Sequence, residues 1–173
     1  MPTKYQFIKS SSTINSSTSI SVDNCFSSAY EVYHCIFELD EVSAELALQV
    51  RLKNASGVVT SSNYDHATEF LRAGSGSDSE GRNTNDTKWN YVMYGEGSVG
   101  GFFEMYIYNP ADSSGYTYAH WQTSTHYLAS STNVHLSRKG LGILTVTEAH
   151  TGIQVYGGSN NLTLAKLSVY GVK

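Results

Sequence analysis

Alternation of apolar and polar positions marks the clearest elements of this chain. In residues 33–40, Tyr33, Cys35, Phe37 and Leu39 fall on one side and His34, Glu38 and Asp40 on the other, with Ile36 the exception. Successive side chains of a strand point to opposite faces, so the run predicts a half-buried strand. Next, Leu46, Leu48, Val50 and Leu52 alternate with Glu45, Ala47, Gln49 and Arg51. A helix would smear these leucines and charges around its cylinder, whereas a strand separates them. The short link 41–44 predicts that these two strands pair with each other. Residues 54–63 read as a loop rich in Ser, Thr and Gly, 64–72 as a strand, and 73–87 (AGSGSDSEGRNTNDT) as an exposed, flexible loop.

Further strands are expected at 88–94, with Trp89, Tyr91 and Met93 on one side, and at 100–108, where Phe103, Met105 and Ile107 oppose Phe102, Glu104, Tyr106 and Tyr108. Pro110 should end the latter, since it cannot donate to a ladder. Residues 116–123, 133–138, 142–147, 152–156 and 165–172 complete the set. Residues 1–22 hold a Ser/Thr-rich run whose Ile14, Ile20 and Val22 suit an edge strand or a docking arm. Roughly nine or ten short strands spaced by about 8–12 residues predict an antiparallel β-sandwich or barrel. No fixed-period repeat is present, and 173 residues make one domain, 1–173.

Composition sharpens this picture. Charged residues are only 15%, while 25 Ser and 15 Thr supply hydroxyls and 13 Tyr add amphipathic rings. A net charge of −4 and the lack of any basic run disfavour nucleic acid as a partner. No stretch reaches the roughly 18 apolar residues that span a bilayer as a helix, so a membrane is not expected. The first nine residues show no apolar signal-peptide core, which implies synthesis in a reducing cytosol. There, Cys25 and Cys35 are expected as thiols, Cys35 as a small buried hydrophobe, although a bridge between them stays open.

Catalytic signatures are sparse. No Gly-x-Ser-x-Gly elbow precedes an Asp and a His, and Gly74-Ser75-Gly76 lies in the most loop-like stretch, unsuited to a fixed nucleophile. Glu38 and Asp40 share a strand face, as a solvated pair would. A polysaccharide-cleaving enzyme would need Glu38, Asp40 or Glu104 beside a second carboxylate in a cleft. The six histidines include no HExxH, and the spacing of His120 and His126 is not that of metal ligands. No catalytic residue, metal or cofactor is therefore expected. The aromatic residues carry more information. Trp89, Tyr91, Tyr116, Tyr118 and Trp121 crowd the central strands, with Trp89/Tyr91 and Tyr116/Tyr118 each sharing a face. They suit a sandwich core, a protein interface, or a platform on which sugar rings stack.

Four phrases, in order, carry a resemblance over nearly the whole chain. They are the opening YQFIKSSSTINSSTSISVDNCFSSAYEVYHCIFELDEVS, then Ser62-Asn63-Tyr64 after a loop, then Glu104-Met105-Tyr106-Ile107-Tyr108-Asn109-Pro110, and the closing Leu167-Ser168-Val169-Tyr170-Gly171. In this order the chain resembles small virion structural proteins of tailed bacteriophages, especially cyanophages. The stretch GLGILTVTEAHTGIQVYGG departs from that pattern. The resemblance implies an all-β, jelly-roll-type sandwich, often trimeric, without enzymatic activity. Proteins of this kind serve as capsid decoration or as tail components, and the favoured expectation is a capsid decoration (cement) protein, assembled in the host cytoplasm and placed on the virion surface beside the major capsid protein. The alternative is a tail-fibre or spike module that contacts tail proteins and binds a host surface glycan.

Overall fold

Each alternating run finds its apolar partner across a sandwich of two antiparallel sheets. The computed structural model describes residues 4–42, 44, 46–73, 79–95, 100–129 and 132–173. In chain order its strands are β1 (Tyr5–Ser10), β2 (Ser19–Val22), β3 (Val32–Leu39), β4 (Glu41–Val42), β5 (Leu46–Asn54), β6 (Gly57–Val58), β7 (Tyr64–Ala73) and β8 (Ser79–Asp86). There follow β9 (Trp89–Gly95), β10 (Gly101–Tyr108), β11 (Thr117–Ala129), β12 (Thr132–Leu144), β13 (Gly152–Tyr156), β14 (Leu162–Thr163) and β15 (Lys166–Val172). The larger sheet has the order β1-β15-β3-β10-β11-β12-β7-β8. The smaller has β2-β13-β5-β6, with β9 also paired to β5, and β14 forms a two-stranded sheet with β4. The chain passes repeatedly from one sheet to the other, which is the winding of a jelly-roll-type sandwich, the expected all-β class.

The core lies between the sheets. Tyr33, Cys35, Phe37, Phe103, Met105 and Ile107 of the larger sheet meet Leu48, Val50, Leu52, Ile153 and Val155 of the smaller one, all without exposed surface. Burial of side chains this size stabilises by about 1.5–3 kcal/mol each. Two of the largest, Trp89 and Trp121, lie flat against backbone. A Cβ placed on Gly142 would come 2.5 Å from the Trp89 indole, and one on Gly140 would come 2.4 Å from that of Trp121. The Lys-Gly-Leu-Gly run therefore continues strand β12, and the expected break between 138 and 142 is absent. A glycine mid-strand commonly marks such a close approach.

Other expectations are corrected by register. The strands β3 and β5 do not pair with each other: β3 sits between β15 and β10, and β5 lies in the opposite sheet. Among the described residues fifteen strands are present rather than nine or ten, because short pieces such as β4, β6 and β14 have no readable period. The expected flexible loop 73–87 instead contributes Ala73 to β7 and all of β8, which pairs with β7 at the end of the sheet. Its residues 74–78, including Gly74-Ser75-Gly76, lie outside the described residues, as do 1–3 and Glu45. From Ser79 to Asn85, every residue of β8 is exposed, so no buried face betrayed it. The N-terminal segment forms edge strands of its own domain: β1 pairs with β15, and β2 with β13.

Candidate functional site

The five aromatic residues singled out above do not form one surface. Trp89 and Trp121 are 0% and 2% exposed and belong to the core rather than to an open aromatic platform. Tyr91 does not share a face with Trp89. It has φ 54°, in the left-handed region, where the β5–β9 register slips between Leu48 and Val50. This irregularity turns Tyr91 outward and buries Val92 and Met93 in succession. The Tyr91 backbone carbonyl accepts a 3.1 Å hydrogen bond from Arg138 Nη1, and the Arg138 guanidinium lies 5.2 Å from its ring. Arg138 is an inward-facing, buried cation, also 4.9 Å from the Phe70 ring. Burial pulls its pKa down to about 10. Tyr91 thus caps a buried cation. Tyr116 and Tyr118 are exposed, as a contact role requires.

The structure assembles a different aromatic surface on the outer face of the larger sheet. One row of side chains crosses all eight strands: Phe7, Tyr170, His34, Tyr106, His120, Leu141, Ala67 and Arg82. Their rings form a ladder. His34 stacks on Tyr106 with centroids 4.4 Å apart, and Tyr106 stacks on His120 at 5.0 Å. Phe7 meets Tyr170 edge-on at 5.6 Å. Polar tips lock the ladder. The Tyr5 and Tyr106 hydroxyls are 2.8 Å apart, Tyr108 Oη lies 3.0 Å from His120 Nδ1, and His34 Nε2 lies 3.1 Å from Glu104 Oε2. The bond to Tyr5, with burial, pushes the Tyr106 phenol up to about 12. Sequence parity had put Tyr106 and Tyr108 on one face. It could not show that β3, β10, β11 and β15 lie side by side, which is what aligns the rings.

A second row runs beside the first, two residues along each strand. It carries Glu104, Gln122, Lys139, Glu69 and Glu80. Lys139 pairs with Glu69 at 2.9 Å and Arg82 with Glu80 at 2.8 Å. The two rows line an open cleft of about 880 Å³ between β10 and β8. Leu141 stands in the cleft with 63% of its surface exposed. Glu38 and Asp40 border a separate groove of about 740 Å³ with Phe102, His126 and His135. In that groove Ser124 Oγ lies 2.7 Å from His135 Nε2.

Among the described residues, a hydroxyl, an imidazole and a carboxylate also come together in the interior. Thr117 Oγ1 lies 3.1 Å from His150 Nδ1, and His150 Nε2 lies 3.4 Å from Glu148 Oε1. Thr117 and His150 have no exposed surface, so no substrate reaches that hydroxyl. Burial holds the His150 imidazole below its usual value, and the trio knits the 148–151 turn to β11. Among the described residues, no group of three or more His, Cys, Asp or Glu is placed to hold a metal. Cys25 and Cys35 are free, buried thiols, both pushed up foremost by burial, Cys25 to about 12.

No family model and no curated protein matches the chain. Among solved structures it is similar to the galectin LEC-6 of Caenorhabditis elegans, with 13% identity over 96% of this chain and 95% of the galectin, at a TM-score of 0.32. It is also similar to an endo-β-1,4-glucuronan lyase of Trichoderma reesei, with 13% identity over 95% of this chain and 79% of the lyase, at a TM-score of 0.26. Scores this low carry no functional argument.

Proposed function

We propose that this chain is a non-enzymatic surface subunit of a tailed-bacteriophage particle, a trimeric capsid decoration (cement) protein that makes its contacts through the outer face of its larger sheet. The observation that carries the contact surface is the ladder from Phe7 to His120, a continuous aromatic band on the outer face of the larger sheet. Tyr-rich, charge-poor patches are what protein interfaces favour. The phage context rests on the four ordered phrases of the sequence. Decoration works by repeating modest contacts over a symmetric shell, so that multivalency supplies the affinity. Uncharged hydroxyls serve this well, because they lose less on desolvation than ions do.

Copy number tests the proposal: quantitative mass spectrometry of purified virions against the major capsid protein. Hundreds of copies per particle, near parity with the shell subunit or a third of it, are expected. Absence from washed particles overturns the particle assignment. A few copies to a few dozen, in multiples of three or six, would select the second reading, a tail-fibre or spike module that recognises a host surface glycan. The feature favouring that reading is the two-row cleft, which concentrates polar groups beside an exposed apolar strip.

A further inference from the structure

We infer that the cleft on the outer face of the larger sheet is a binding site for an uncharged oligosaccharide, laid across the strands from β10 to β8. The inference rests on the second of those readings, in which this face meets a glycan.

The cleft pairs two unlike rows. One offers the Tyr106–His120 stack and the open side of Leu141. The other, one pleat repeat away, offers Gln122, Lys139 and Glu104. A pyranose ring has the same split: one face of C–H bonds, and hydroxyls around the rim that both donate and accept. Rows two residues apart lie about 7 Å from each other along a strand, so one sugar can touch both. Five strands from β10 to β8 give a trough about 19 Å long, room for several sugar units.

Leu141 is the most exposed of the large apolar side chains, although it sits mid-strand in an interior position of the sheet. An apolar side chain there gains nothing for folding and suits a ligand's apolar face. Gln122 is exposed, and its amide bonds no described residue, which leaves one donor pair and one acceptor free.

Charge decides the ligand class. The cleft holds three carboxylates against two cations, and Lys139 and Arg82 are both already paired. A polyanion would meet excess negative charge and find its cations engaged, so nucleic acid and sulfated or uronic glycans are disfavoured. Hydroxyls bond to carboxylates and paired lysines alike at little desolvation cost.

The test is retention of the full chain on an array of immobilised neutral hexose oligosaccharides, with sialylated and sulfated glycans alongside. Neutral probes should retain the protein. Leu141→Ser and Gln122→Ala should each weaken retention by about tenfold or more, and Tyr116→Ser, outside the cleft, should leave it unchanged. Both cleft variants alter exposed positions, and an unchanged thermal melt will confirm their fold. The inference is overturned by no retention on any neutral probe, by preference for the sulfated or sialylated glycans, or by retention that both variants leave intact. Virion copy number is a separate readout, so a failed sugar site and a failed particle assignment are told apart.

Discussion

The two faces of β12 put opposite demands on one strand. Inward, Gly140 and Gly142 present bare backbone to the indoles of Trp121 and Trp89, and Leu144 is sealed in the core. Outward, Lys139 and Leu141 reach into open space. The inner face is defined by what it omits, two β-carbons whose presence would collide with rings. The outer face carries side chains that the fold does not need. Substitutions inside should therefore cost stability and leave nothing to bind, while those outside should leave stability intact and change recognition alone.

The comparison breaks most visibly at the indoles. Trp89→Ala should destabilise by about 3–5 kcal/mol, read as a fall in the denaturant midpoint. Gly140→Ala, a single added methyl, should cost about 1–3 kcal/mol, because the ring it meets is locked between two sheets. On the other face, Leu141→Ser should stay within about 0.5 kcal/mol of the parent in the same titration. A large loss there would mean that Leu141 is structural after all.

Buried histidines extend the contrast to pH. His66 and His150 are both held below the ordinary imidazole value of 6.5, foremost by burial. The folded chain keeps them neutral while the unfolded chain takes up protons near 6.5, so their contribution is complete above that pH. It is lost as the pH falls from 6.5 toward the lowered folded values. Chemical denaturation at pH 7.5 and 5.5 should show the weaker protein at 5.5, and His66→Gln should narrow the gap. A small effect of the opposite sign is expected at Leu164, an exposed leucine with φ 51°. Leu164→Asn should stabilise by about 0.5–1 kcal/mol, visible as a small rise in melting temperature.

Alternation made much of the fold legible. The inward sets Tyr33/Cys35/Phe37/Leu39, Leu48/Val50/Leu52, Phe103/Met105/Ile107 and Leu167/Val169 are all buried as their parity requires. Parity failed where the backbone departs from a flat pleat, as at Tyr91, whose left-handed φ turns it outward between the buried Trp89 and Met93. It also failed at Gly140 and Gly142, which look like a turn because their burial partners are rings from other strands. The candidate site was less legible for a related reason. The ladder joins residues from β1, β15, β3, β10 and β11, spanning nearly the whole chain, and no local spacing encodes that sheet order. Of the rings for which a core or a contact role stayed open, Tyr116 and Tyr118 lie on the surface and the two tryptophans in the core. Size and flatness suit an indole to a core as well as to a ligand.

The outermost strand of the larger sheet has a quieter consequence. Along β8 the residues are Ser, Glu, Gly, Arg, Asn, Thr, Asn and Asp, and the first seven face water. An open edge of that composition makes a poor template for another chain, because adding a strand would strip solvent from charges and amides with nothing apolar to offset it. Copies of this molecule crowded together can touch along that edge without their sheets fusing there into fibrils.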